Sequence, residues 1–124
     1  MEYGTYIAGY KKRLAEIRAE KEKLRERVLE RLRGLSGVFD GLPGLERVYA
    51  FGSAARPGGF TPESDVDLAF EGLPAERFCE TLSALVERLE RSVDAVRLED
   101  AEGPLREQIL KGVVVYERRA SPDP

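Results

Sequence analysis

The sequence has no histidine, no tryptophan and no asparagine, and only one cysteine, one methionine and one glutamine. Without histidine it can hold no Ser-His-Asp or Cys-His triad, no imidazole proton shuttle and no zinc site built on imidazole. Cys79 has no second thiol to meet. An internal disulfide and a thiolate metal cluster are therefore excluded, and a reducing cytoplasm is the expected setting. No apolar run reaches the roughly 18–20 residues of a membrane span. The segment from Met1 to Lys12 lacks the hydrophobic centre of a signal peptide, so no membrane partner is expected. Any chemistry falls to carboxylates, hydroxyls, lysine, arginine and backbone, with carboxylates around a hard cation as the first suspect.

Charge is plentiful but uneven. Net charge is −3 over 124 residues, yet residues 1–35 hold 10 Lys/Arg against 6 Asp/Glu, and residues 36–124 hold 10 against 17. An acidic body is a poor match for nucleic acid, which is bound through many phosphate contacts. Heavy use of Arg and Glu beside absent Asn resembles the composition of thermophile proteins. The length suits one domain, placed at 1–119, with Ala120–Pro124 as a disordered tail.

From about Tyr10 to Arg33 there is no Gly or Pro, and good helix formers dominate. Leu14, Ile17, Leu24, Val28, Leu32 and Leu35 fall near one face of this long amphipathic helix. Lys21 and Arg31 interrupt the stripe, so packing on its own domain is expected rather than a self-standing coiled coil. Arg47–Phe51 reads as a buried strand ended by Gly52-Ser53, and Ala54–Ser64, with two prolines and two glycines, as a loop. Asp65–Phe70 reads as a second strand. Pro74 opens a second helix, running to about Arg91 and burying Phe78, Leu82, Leu85, Val86 and Leu89, with Cys79 buried beside Phe78. Ser92–Leu98 is a third strand, Pro104 opens a short helix ended by Gly112, and Val113–Tyr116 closes as a fourth strand. The order is α-β-β-α-β-α-β.

Asp65 and Asp67 stand two apart in a predicted strand, where a period of two puts both on one face. Like charges side by side repel, and a divalent cation reverses that repulsion. Mg²⁺ is held by one or two carboxylates plus substrate phosphates. Asp94 joins the same cluster if the third strand neighbours the second. Three such carboxylates suit a pair of ions clamping an in-line phosphoryl displacement. Gly52-Ser53 lets backbone N–H groups approach a phosphate and adds a hydroxyl, and Arg56 adds charge nearby. Together these parts imply a hydroxyl attacking the α-phosphate of a nucleotide, with pyrophosphate leaving.

Val48-Tyr-Ala-Phe-Gly-Ser-Ala-Ala-Arg56, followed by Ser64-Asp-Val-Asp-Leu68, resembles the signature of the DNA polymerase β-like nucleotidyltransferase superfamily, and most nearly its minimal nucleotidyltransferase branch. The resemblance runs from about Leu14 to Glu117. It implies an α+β nucleotidyltransferase fold, a small mixed β-sheet with helices packed on one side and the metal face open. It also implies that Gly52, Ser53, Arg56 and Ser64 bind nucleotide and that Asp65, Asp67 and Asp94 are catalytic. Asp65 and Asp67 would bind two Mg²⁺ ions, and Asp94 would bind one and help deprotonate the acceptor hydroxyl. The spacing between Ser53 and Asp65 is one residue longer than the family's usual spacing, and Pro57 replaces a customary glycine; both changes fall in the phosphate loop.

Each piece alone has an ordinary reading. Gly52-Ser53 is a common turn, Asp65 and Asp67 suit a solvated edge, Asp94 suits a surface, and Glu99, Asp100 and Glu102 suit a solvated loop. Their conjunction carries the expectation. Minimal family members resemble antitoxins that modify or mask a helical HEPN-type protein, so ATP and such a partner are the expected ligands, with AMP the group transferred. A nucleotidyltransferase-fold module that neutralises its partner stoichiometrically is the alternative. Tyr3, Tyr6 and Tyr10 pack locally or anchor a partner, the basic first helix is a solvated face or docks an acidic surface, and self-association stays open.

Overall fold

The computed structural model describes residues 3–119; the tail expected at 120–124 lies outside them. Helix α1 (Tyr3–Arg33) begins well before Tyr10, running through Gly4 and Gly9. A short α2 (Ser36–Asp40), which hydrophobic periodicity did not announce, follows the Gly34-Leu35 turn and buries Phe39. The four strands β1 (Arg47–Phe51), β2 (Val66–Glu71), β3 (Val93–Arg97) and β4 (Val113–Glu117) form one sheet in the order β3-β2-β1-β4. β1 pairs antiparallel with β2 and β4. β2 and β3 run parallel, as they must when a crossover through α3 (Phe78–Leu89) joins them. This is the expected mixed α+β sheet.

Alternation along the strands divides the sheet's faces. Val48, Ala50, Val66, Leu68 and Phe70 face the main core, which also takes in Val28, Leu29 and Leu32 of α1, Phe39 of α2 and Leu85 and Leu89 of α3. Three helices therefore cover one side, as expected. The short α4 (Gly103–Leu110) departs from that picture. Its Ile109 joins Tyr49, Phe51, Ala69, Leu98 and Ala101 in a second cluster on the opposite face. At one end of that face, Arg47 bridges Glu71 and Glu117, and the Tyr49 hydroxyl donates to Glu71 at 2.8 Å. Past β4, the Arg118 guanidinium donates to the carbonyls of Leu45 at 2.6 Å and Leu42 at 2.8 Å, tying the strand end to the turn before β1.

Several expected burials do not occur. Leu14 and Ile17 are exposed because the first half of α1 runs past the body, so the stripe does not pack on its own domain along its length. Val86 and Cys79 are exposed, since α3 turns Thr81, Leu85 and Leu89 inward, with Phe78 half-buried against the core. Thr81 is buried, with its hydroxyl donating to the Arg77 carbonyl at 2.7 Å. The helix expected from Pro74 begins with a single 3₁₀ turn at Ala75–Arg77 and stops at Leu89, because Glu90 takes the left-handed conformation (φ 53°) that ends it.

Candidate active site

Asp67 and Asp94 are register partners on the parallel strands β2 and β3. Their side chains leave the same face of strands that lie about 4.8 Å apart. The condition set on Asp94 by the sequence, that its strand neighbour that of Asp67, is met. Asp65 stands just before β2, two positions from Asp67. Asp65 and Asp94 are exposed and Asp67 is half-buried. Burial first, and then the negative charges of Asp94 and Asp65, push the Asp67 carboxyl above the usual carboxylate range. Among the described residues no cation pairs with any of the three. Nor, among the described residues, does any group of three or more His, Cys, Asp or Glu side chains converge closely enough to hold a metal ion. The donor chemistry of the three aspartates, all anionic oxygen, is the type that Mg²⁺ takes.

The chain leaves β1 at Phe51, the register partner of Asp67, and turns at once into a 3₁₀ turn over Gly52–Ala55. Gly52 has φ +65°, and a Cβ there would overlap the Asp67 carboxylate. Only glycine both adopts this backbone and lets it lie against Asp67. Gly52-Ser53 and the aspartates, fourteen residues apart in sequence between Ser53 and Asp67, thus meet at one end of the β1–β2 pair.

The loop that follows is fastened on two sides. On α1, Arg25 Nε donates to the Ala54 carbonyl at 2.7 Å and its Nη1 meets Glu22 at 2.8 Å, while Glu22 accepts the Gly58 N–H at 3.0 Å. From beyond α3, the Arg91 guanidinium lies 4.9 Å over the Phe60 ring and donates to the Ser64 and Pro62 carbonyls. Phe60 is fully buried. Gly58 of this loop is therefore held from α1, while the Gly59 N–H donates to the Arg56 carbonyl at 2.9 Å. The sequence reading missed Glu22 and Arg25, taking them for a solvated helix face; their only signal was spacing by one helical turn, which many surface pairs share.

Ser64 accepts the Thr61 N–H at 3.0 Å through its hydroxyl, closing the turn that leads into β2. Arg56 is exposed and its side chain lies along Gly59. Asp100 pairs with Arg97 at 3.1 Å and Glu99 accepts the Gly72 N–H, so these two acidic side chains are engaged within the protein. A groove of about 740 Å³ lies along α1 beside Pro62, and none of the three aspartates lines it.

Residues 35–121 match the family described as "Polymerase beta, Nucleotidyltransferase". No curated protein is significantly similar to the chain. Among solved structures, a toxin–antitoxin with AMP-PNP is similar, with a TM-score of 0.56 at 26% identity, over 77% of this chain and 74% of that one. A mutant of the MntA–HpeT toxin–antitoxin gives 0.53 at 26% identity, over 76% and 72%. A tri-AMPylated Shewanella oneidensis HEPN toxin in complex with MNT antitoxin gives 0.54 at 23%, over 76% and 73%, a likeness of fold.

Proposed function

The chain belongs to the polymerase β nucleotidyltransferase family, and from that premise we propose that it moves a nucleoside monophosphate, AMP from ATP, onto a hydroxyl of a helical HEPN-type partner protein, acting as the antitoxin of a toxin–antitoxin pair. The observation that carries this reading is the register pairing of Asp67 with Asp94, with Asp65 two residues away and the Gly52-Ser53 turn against Asp67. The similar structures add support, since one holds AMP-PNP and another an AMPylated HEPN toxin.

In this reading Asp65, Asp67 and Asp94 would hold Mg²⁺, which when bound would offset the carboxylate charge and polarise the phosphoryl group being transferred. Gly52 and Ser53 present backbone N–H groups and a hydroxyl to the nucleotide phosphates, and Arg56 adds a positive charge that no described acidic residue claims. Ser64 shapes the turn that places Asp65. Asp94, exposed beside half-buried Asp67, takes the proton of the acceptor hydroxyl as the hydroxyl oxygen bonds to the α-phosphorus and the bond to pyrophosphate breaks. Glu22 and Arg25 hold the loop in place. Action in the cytoplasm accords with the lone cysteine; among the described residues no helix is long and apolar enough to cross a membrane.

The test uses ATP labelled at the α-phosphate, Mg²⁺ and a HEPN-type protein from the same genome. Wild type is expected to transfer label to the partner, and Asp65→Asn/Asp67→Asn to bind the partner without transfer. Absence of transfer by wild type, with both proteins binding the partner equally, overturns the enzyme reading and leaves the stoichiometric binding module.

A further inference from the structure

Between Tyr6 and Glu20, α1 contributes nothing to the core. From Tyr6 to Glu20 every residue is exposed, and the large apolar ones among them range from 37% exposure at Leu14 to 62% at Tyr6. Ile7, Tyr10, Leu14, Ile17, Lys21, Leu24 and Val28 succeed one another at alternating spacings of three and four, the seam of a coiled coil. Val28 belongs to the body's core, so the seam starts inside the domain and runs out into solvent. At its foot it opens into the groove of about 740 Å³ shared by Ile17, Lys21, Leu24 and Pro62. The segment also precedes the family-matched residues 35–121. A projecting helix of this length is marginal by itself in water, and an apolar strip on its surface marks a contact site.

The flanks of the seam identify its occupant. Lys11, Arg13 and Arg18 border it, and among the described residues none of them forms an ion pair. Of the two acidic residues on this stretch, Glu20 already lies 3.9 Å from Lys23, and Glu16 lines the groove among Arg13, Lys21 and Arg27, so the rim stays basic on balance. Lys21 stands in the seam itself. A second copy would set these basic rims and Lys21 against their equals, so self-pairing is disfavoured. A strip only two positions wide per heptad is also narrower than the broad apolar face of a helix lying in a bilayer.

We propose that the exposed half of α1 docks an amphipathic helix of the partner protein whose apolar seam is bordered by Asp and Glu. This deepens the proposed function and rests on its reading of a helical partner. Apolar contacts along Ile7, Tyr10, Leu14 and Ile17 provide the attraction, and the acidic borders meet Lys11, Arg13, Arg18 and Lys21.

The test uses the full chain and a synthetic helical peptide of about four heptads with Leu at the seam and Glu on both flanks. Two companion peptides carry Lys flanks, or Glu flanks with a serine seam. Fluorescence anisotropy at low salt is expected to show binding of the Glu-flanked peptide, with the companions at least about tenfold weaker. Ile7→Ser/Leu14→Ser should lose at least about tenfold in affinity, while Lys11→Glu/Arg13→Glu/Arg18→Glu should prefer the Lys-flanked peptide. All five residues are exposed, and unchanged thermal unfolding of the body would verify intact folding. Equal binding of the Glu- and Lys-flanked peptides overturns the proposal. So does a dimer in sedimentation, or capture on phosphatidylserine vesicles, that Ile7→Ser/Leu14→Ser abolishes. Peptide binding without nucleotide transfer would defeat only the transfer reading. Transfer to the partner that survives Ile7→Ser/Leu14→Ser undiminished would defeat only the docking site.

Discussion

Removing one carboxylate from the register pair Asp67–Asp94 should stabilise the metal-free protein. Carboxylates on in-register neighbours stand roughly 5–6 Å apart, which gives a repulsion of about 0.7 kcal/mol at the dielectric of water and about 3 kcal/mol at an effective dielectric near 20. Asp94 is exposed and Asp67 half-buried, so a figure of about 1 kcal/mol is expected, or roughly 3–5 °C in Tm for a chain of this length. Asp67→Asn, Asp94→Asn and the double variant, unfolded with urea in EDTA, form a double-mutant cycle that isolates this pairwise energy. Each single change should stabilise, and the double change should gain less than the sum. The effect depends on pH. The Asp67 carboxyl is raised in the folded state, so at neutral pH its ionisation opposes folding; as pH falls through its raised value the folded protein takes up the proton first and that opposition fades. The gain from Asp67→Asn should therefore be full near pH 7 and shrink toward the ordinary carboxylate value near about 4. Added Mg²⁺ should raise the Tm of wild type more than that of the double variant. A coupling energy of zero, or an Asn gain that grows on acidification, would refute the reasoning.

Other outcomes follow from the same geometry. Arg25→Met removes the guanidinium from the Ala54 carbonyl and Glu22, and should raise the KM for ATP with a stability loss of about 1.5–3 kcal/mol, read by steady-state kinetics beside urea unfolding. Gly52→Ala forces a Cβ into the left-handed region and against Asp67, so it should cost about 1–2 kcal/mol and weaken Mg²⁺ binding in calorimetry, whereas Ser53→Ala leaves stability unchanged. Glu90→Gly relieves the left-handed helix end and should add up to about 1 kcal/mol in thermal unfolding. Leu32→Ala, at a fully buried position between α1 and the sheet, should cost about 2–5 kcal/mol.

Periodicity located the strands well, because Arg47–Phe51 and Val113–Tyr116 are short apolar runs bounded by turn residues. It also placed Asp94 on a strand, and the structure supplied the neighbour. What periodicity reports is which residues share a face, not what covers that face. Leu14 and Ile17 share the stripe of Val28 and Leu32, yet only the latter pair meets a sheet. The position of α4 was invisible for the same reason, since Ile109 has a like pattern on either side of the sheet. The ties from Glu22 and Arg25 to the loop join residues far apart in sequence through charge and backbone carbonyl, for which composition holds no signal.

The sheet order also sets a timetable for synthesis. β2, α3 and β3 are complete by Arg97, so Asp65, Asp67 and Asp94 can assemble while later residues are still being made. β4 is made afterwards and must pair with β1, far back along the chain, and Arg118 must then reach the carbonyls of Leu42 and Leu45. Until then the outer edge of β1 is bare, and a bare apolar edge is a template for misassociation between nascent chains. The last strand closes the sheet rather than building the site. Its late arrival makes the ribosome-bound chain most vulnerable at the moment when its carboxylates are already in place.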